Sequence, residues 1–177
     1  MMTSHWVLCV VAAWFVAAGD PPEVHVTTVA RDGRVNVSCA VSGGLTPDME
    51  QALQSGLTTT FTYDVDLRRS VSVWFDRGIA VATVTASAQF DTLTGRYQVS
   101  RSVDGRIEDS RVSEDKADVA KFMTSFDRLP LFSTAELDAN VEYVVRVRLR
   151  ARPRVNWFFW PFNRSDAVGF VRFTFIP

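Results

Sequence analysis

Residues 24–42 read Val-His-Val-Thr-Thr-Val-Ala-Arg-Asp-Gly-Arg-Val-Asn-Val-Ser-Cys-Ala-Val-Ser, two alternating runs around Asp32-Gly33. Asp-Gly between such runs is a two-residue hairpin signal, because both turn positions need positive φ. Pairing Arg31 with Arg34 sets Val24, Val26, Thr28 and Ala30 opposite Val41, Cys39, Val37 and Val35. One face of that hairpin is apolar along its whole length, so the register is self-consistent.

The same period continues outward. Thr58–Phe75 places Phe61, Tyr63, Val65 and Leu67 on one side and Thr60, Thr62, Asp64 and Asp66 on the other. Asp76-Arg77-Gly78 reads as a tight turn into Ile79–Phe90, and Asp91–Gly95 as a turn into Arg96–Val103. Asp104-Gly105 makes a second hairpin into Arg106–Val112, with Arg101 expected opposite Glu108 and Ser100 opposite Asp109. These four strands form a meander.

Two segments change period. Thr46–Gly56 predicts a short helix: Thr46 suits the N-cap, Pro47 the first turn, Asp48 and Glu50 the positive end, and Gly56 the exit. Its buried stripe is Met49 and Leu53, with Ala52 beside them. Ser113 is expected to cap a second helix reaching about Asp127, with Glu114 and Asp115 in its first turn and Val119, Phe122, Met123 and Phe126 on one stripe. Leu129–Phe132 then leads into a loop, Val141–Val155 is a strand, 156–166 a long loop, and Ala167–Ile176 the closing strand. The expected fold is mainly β: an antiparallel β-sandwich or strongly curled sheet of about eight strands, with two short covering helices.

The first eighteen residues contain no Asp, Glu, Lys or Arg, and Trp6–Ala18 is almost continuously apolar. Thirteen residues fall short of the about 20 that span a bilayer. Val16-Ala17-Ala18 before Gly19-Asp20 resembles a small-residue cleavage site, so residues 1–18 read as a secretory signal peptide. An uncleaved anchor is the alternative, since Met1–His5 has no Lys or Arg. Residues 20–177 form a single antiparallel β domain in this reading, placed in the periplasm or secreted.

The net charge of −1 argues against a nucleic-acid partner. Loss of Cys9 with the leader leaves Cys39 alone, excluding an internal disulfide, and His25 is then the sole histidine. His25 falls opposite Ala40 and faces away from Cys39, which argues against a Cys-His dyad. We expect no metal and no cofactor: no calcium-loop spacing, phosphate loop or serine elbow is present. An inert buried thiol is the expectation for Cys39.

From Thr58 onward the pattern resembles an exported bacterial family, number 4390 among the catalogued domains of unknown function. The residues that carry the likeness are Phe61-Thr62-Tyr63 before Trp74-Phe75-Asp76, then Tyr97-Gln98-Val99-Ser100, Leu129-Pro130-Leu131, the strand Tyr143–Arg150 and the aromatic region before the last strand. The resemblance implies a small envelope protein of a family without an established activity. Some relatives are encoded near membrane sensor kinases, which implies an envelope-signalling context.

One strand stands out chemically. Arg146, Arg148, Arg150, Arg152 and Arg154 alternate, so all five point to one face. Neighbouring stems are about 6.6 Å apart along a row of about 26 Å. Each neighbouring pair repels by roughly 0.6 kcal/mol even at the dielectric of water. Such a row calls for anions, either carboxylates of the chain itself, for which Asp64, Asp66 and Glu142 are candidates, or an external partner. Trp157, Phe158, Phe159, Trp160 and Phe162 follow almost at once. Folded over the sandwich end they are core; left outside they form a patch that needs an interface.

The functional expectation is therefore a non-catalytic binding or scaffolding module of the cell envelope. Its partner would be an envelope protein or an anionic membrane surface, met by these ten residues. A carrier of lipid or another hydrophobic ligand is a second reading, since curled strands can enclose a cavity. A hydrolase with a dispersed Ser/Asp site is a third.

Overall fold

The computed structural model describes residues 22–71, 75–153 and 167–177. The expected signal peptide with Cys9, and the aromatic run 157–162, lie outside them. In chain order the elements are β1 (Glu23–Arg31), β2 (Arg34–Ser42), α1 (Pro47–Gln54), β3 (Thr59–Val71), β4 (Phe75–Asp91), β5 (Arg96–Val103), β6 (Arg106–Ser113), α2 (Lys116–Thr124), β7 (Ser125–Ser133), β8 (Glu142–Pro153) and β9 (Ala167–Thr174). A single 3-10 turn, Thr134–Glu136, joins β7 to the segment before β8. Among the described residues nine strands form two antiparallel sheets, in orders β1-β2-β7 and β6-β5-β4-β3-β8-β9.

The local chemistry behaves as read at several points. Arg31 pairs with Arg34 and Val26 with Cys39, around Asp32 at φ 54° and Gly33 at φ 73°. Thr46 caps α1, its Oγ1 accepting from the Met49 N–H at 3.3 Å, and Met49 and Leu53 are buried. Asp91 Oδ1 accepts from the Leu93 N–H at 2.9 Å, holding the β4–β5 turn.

Both sheets bury one face in a shared core. Val35, Val37 and Cys39 of β2 meet Phe61, Tyr63, Val65 and Leu67 of β3, with Val84, Ala86, Val145, Val147 and Leu149 beside them. Burying each larger side chain contributes roughly 1.5–3 kcal/mol. Val119, Phe122 and Met123 of α2 close one end. Tyr63 stands edge-on to Phe126, ring centres 5.3 Å apart, and its hydroxyl donates to the Met123 carbonyl at 2.6 Å. A phenol so deep therefore has its polar end satisfied.

Four expectations are corrected. The second helix stops at Thr124, and Phe126–Phe132 belongs to a ninth strand, β7, paired with β2. Pro130 within that strand has no N–H to give to a ladder. It is accommodated because β7 is an edge strand and its register shifts beside Pro130. At the second shift the Ser38 hydroxyl replaces ladder bonds: it donates to Asp127 and accepts from the Arg128 N–H.

The N-cap of α2 is Asp115, which accepts from the Ala117 N–H at 2.8 Å; Ser113 instead accepts from the Asp115 N–H. The triplet Asp76-Arg77-Gly78 is no turn: Val71 already pairs with Phe75, and these residues continue β4 opposite Arg68–Ser70.

Finally, Arg101 lies opposite Asp109, not Glu108, because a bulge at Glu108 shifts β6 by one residue. The shift turns Arg111 toward the core, where its guanidinium stands 5.1 Å from the Phe122 ring centre and 3.1 Å from Asp118. Arg101 also stands over the Phe122 ring, 4.2 Å from its centre, and donates to the carbonyls of Phe122 and Ser125. A cation here meets the negative end of α2.

Where β1 crosses β9 the sheets come very close. A Cβ on Gly169 would lie 2.4 Å from the Val24 carbonyl oxygen, a backbone atom that cannot swing away. Gly169→Ala is expected to lower stability by about 1–3 kcal/mol through overpacking, read as a lower urea midpoint at unchanged slope.

Candidate functional site

The core residues of β3 and β8 alternate with an outward row, and the register decides which outward side chains meet. Asp66 lies opposite Arg146, Asp64 opposite Arg148 and Thr62 opposite Arg150. Arg146 takes its direct neighbour, donating to Asp66 through Nη2 at 2.5 Å and Nε at 3.1 Å. Arg150 reaches diagonally to Asp64, with Nη2 at 2.7 Å from Oδ1 and 2.6 Å from Oδ2. Arg68 stands 3.8 Å from Asp66 on its other side.

Two carboxylates thus serve the outer two of three guanidiniums. Arg148, between them, is exposed and makes no ion pair among the described residues. Its neighbour on β9 is Val168, and that of Arg146 is Phe170. Both are strongly exposed, Phe170 at 68%. Arg172 continues the β9 row, 3.4 Å from Glu142.

The candidate residues are therefore divided by the fold. Arg146 and Arg150 are compensated by the very carboxylates the sequence offered, and Arg148 is not. Arg152 continues the row in register opposite Thr60. Arg154, Trp157, Phe158, Phe159, Trp160 and Phe162 lie outside the described residues. Sequence reasoning missed Val168 and Phe170; the alternation of Val168, Phe170 and Arg172 beside small Ala167 and Gly169 was the available signal.

This face is mixed, not uniformly basic. Arg68, Arg146, Arg148, Arg150 and Arg172 stand against Asp64, Asp66 and Glu142. The surplus of positive charge centres on Arg148, with an apolar strip at its flank. Such a surface can hold an anion by charge and a partner by area.

Elsewhere, a cavity of about 320 Å³ opens between Arg69, Arg77, Glu136, Asp138 and Tyr143. Arg69 and Asp138 close on each other at 2.6 Å, and the Tyr143 hydroxyl accepts from the Asp138 N–H at 2.7 Å. Its charged lining suits a small polar group better than an acyl chain. Among the described residues no three His, Cys, Asp or Glu side chains gather as a metal site. No helix of the described residues is long and apolar enough to cross a membrane. Cys39 is buried on the inner face of β2, and burial pushes its thiol up to about 12. His25 is out at the surface, 3.6 Å from Glu23.

The family described as "Domain of unknown function (DUF4390)" matches residues 24–153, from the first hairpin through the Arg-bearing strand. The chain belongs to that family. No curated protein and no solved structure matches it.

Two outcomes follow from this geometry. Asp66→Ala leaves Arg146 and Arg68 without their shared acceptor and is expected to cost about 1–2 kcal/mol, whereas Arg148→Ala changes stability by less than about 0.5 kcal/mol; urea titrations of both variants check the contrast. For Cys39, a raised native pKa means that the thiolate forms in the unfolded chain first, so stability falls as pH rises above the ordinary thiol range near 8.5. In a Cys9→Ser background, a thiol-specific disulfide reagent at pH 8 should label Cys39 only after denaturant is added.

Proposed function

We propose that this chain is an exported, non-catalytic module of the bacterial envelope that docks through the outer face of β3, β8 and β9. The observation that carries the reading is Arg148: an exposed guanidinium left over between two ion-paired neighbours, flanked by exposed Val168 and Phe170. A solvated face would be expected to balance its charges and hide its large apolar groups. This one keeps a surplus cation next to an apolar strip.

The strand that carries Arg148 runs in sequence through Arg152 and Arg154 into Trp157, Phe158, Phe159, Trp160 and Phe162. Basic residues followed by large aromatics form the composition that anchors proteins at a headgroup layer. The occupant we favour is an anionic membrane surface or an acidic envelope protein. The apolar leader, residues 1–18, supports export. Family membership is consistent with this reading and adds no activity to it.

Each basic side chain near an anionic surface is worth about 1 kcal/mol, and charge reversal adds a comparable repulsion. Arg148→Glu should therefore weaken co-sedimentation with phosphatidylglycerol vesicles about tenfold or more. Neutral vesicles should bind neither form. If the wild type ignores both vesicle types, the acidic-protein version predicts cross-linked envelope partners that Arg148→Glu loses. Binding to vesicles and extracts that is indifferent to Arg148→Glu and Phe170→Ser would overturn the assignment of this face.

A further inference from the structure

The far edge of the six-stranded sheet shows a different kind of surface. β6 ends the order, and among the described residues no strand pairs with its outer side. Seven of its eight residues are exposed, including Ile107 at 68% and Val112 at 58%. An open edge is a template for another strand. The opposite edge is not equivalent, because β1 packs across β9 at Gly169.

The bulge at Glu108 sets which side chains share a side. Beyond it Asp109 and Arg111 face the core side, while Ser110 and Val112 lie opposite Ser100 and Gln98 on the outer side. Before it Ile107, opposite Ser102, is also on the outer side. A second copy adding to this edge through a two-fold axis perpendicular to the sheet keeps inner residues with inner ones and outer with outer.

Three registers meet that requirement with substantial overlap. Centring the axis on Asp109 sets two carboxylates face to face, and centring it on Arg111 sets two guanidiniums face to face. Like charges directly opposite destabilise a pair. Centring it on Ser110 instead puts Asp109 opposite Arg111 of the second copy, twice. The same register, with Glu108 bulged out as it already is toward β5, brings Ile107 opposite the second copy's Val112, also twice.

The charges then alternate across the junction. Arg101 lies opposite Asp109 in the register of β5 and β6, and Arg111 is bonded to Asp118. The row would read Arg101, Asp109, then Arg111 and Asp118 of the second copy, with its mirror below. We infer that β6 pairs antiparallel with β6 of a second copy about Ser110, joining two sheets of six strands into one. The contact is isologous and closes on itself, so it yields a dimer and no filament. Because the axis preserves faces, the two copies present Arg148 on the same side of the joined sheet. The pairing does not depend on what that side binds.

Sedimentation velocity over a range of protein concentrations should show a monomer–dimer equilibrium. Asp109→Arg or Arg111→Asp alone sets like charges opposite each other twice and should weaken dimerisation about tenfold or more. Mixing the two variants restores opposite charges at both contacts and should recover a heterodimer, which a folding defect would not. In a Cys9→Ser background, Ser110→Cys places two thiols on the axis and should give a disulfide-linked dimer on mild oxidation, while Ser102→Cys, one strand inward, should not. A single monomeric mass at every concentration would overturn the inference. So would a dimer that survives both charge variants.

Discussion

The pairing of β3 with β8 runs without a break from Thr59 opposite Pro153 to Arg69 opposite Tyr143. Nearly everything else hangs on it. Strands of period two send alternate residues to opposite faces, so an unbroken ladder commits two whole rows at once. Inward go Phe61, Tyr63, Val65, Val147 and Leu149, all of them fully buried. A slip of one residue would carry that row into water and the aspartates into the core.

The outward row is then a consequence, not a separate design. Arg146, Arg148 and Arg150 repel along β8, and β3 offers two aspartates in reach of them. The diagonal taken by Arg150 leaves Arg148 without a carboxylate although Asp64 is directly across from it. The surplus therefore arises from a mismatch in number inside a register that the core already dictates. The core cannot shift to correct it.

A similar economy appears at the other end of the sheet. The bulge at Glu108 turns Arg111 to the inner side, where it joins Arg101 near the Phe122 ring. Two cations beside one aromatic ring would be costly without the carbonyls of Phe122 and Ser125 and the carboxylate of Asp118. The bulge that serves α2 also sorts the side chains of the free edge, so a local packing need sets the symmetry available to that edge.

Much of this was legible beforehand, and for a common reason. Asp32-Gly33 and Asp104-Gly105 declare their turns because few other residues tolerate positive φ there, and Thr46 with Pro47 declares a helix start by the same local logic. The alternation in 59–67 and 145–150 matches the burial of its inward row, whereas Val144 is buried on the outward side. What sequence could not decide depended on contacts between distant segments. Whether the chain after Thr124 continues the helix or becomes a strand turns on β2 lying beside it and tolerating Pro130. Whether Arg101 meets Glu108 or Asp109 turns on what α2 asks of Arg111. Which of Arg146, Arg148 and Arg150 is left without a carboxylate turns on a diagonal reach across β3. Periodicity and turn chemistry act within a few residues and so can be read from the chain; register shifts and charge partners are settled only when two segments meet, because each is a choice among neighbours that the chain alone does not bring together.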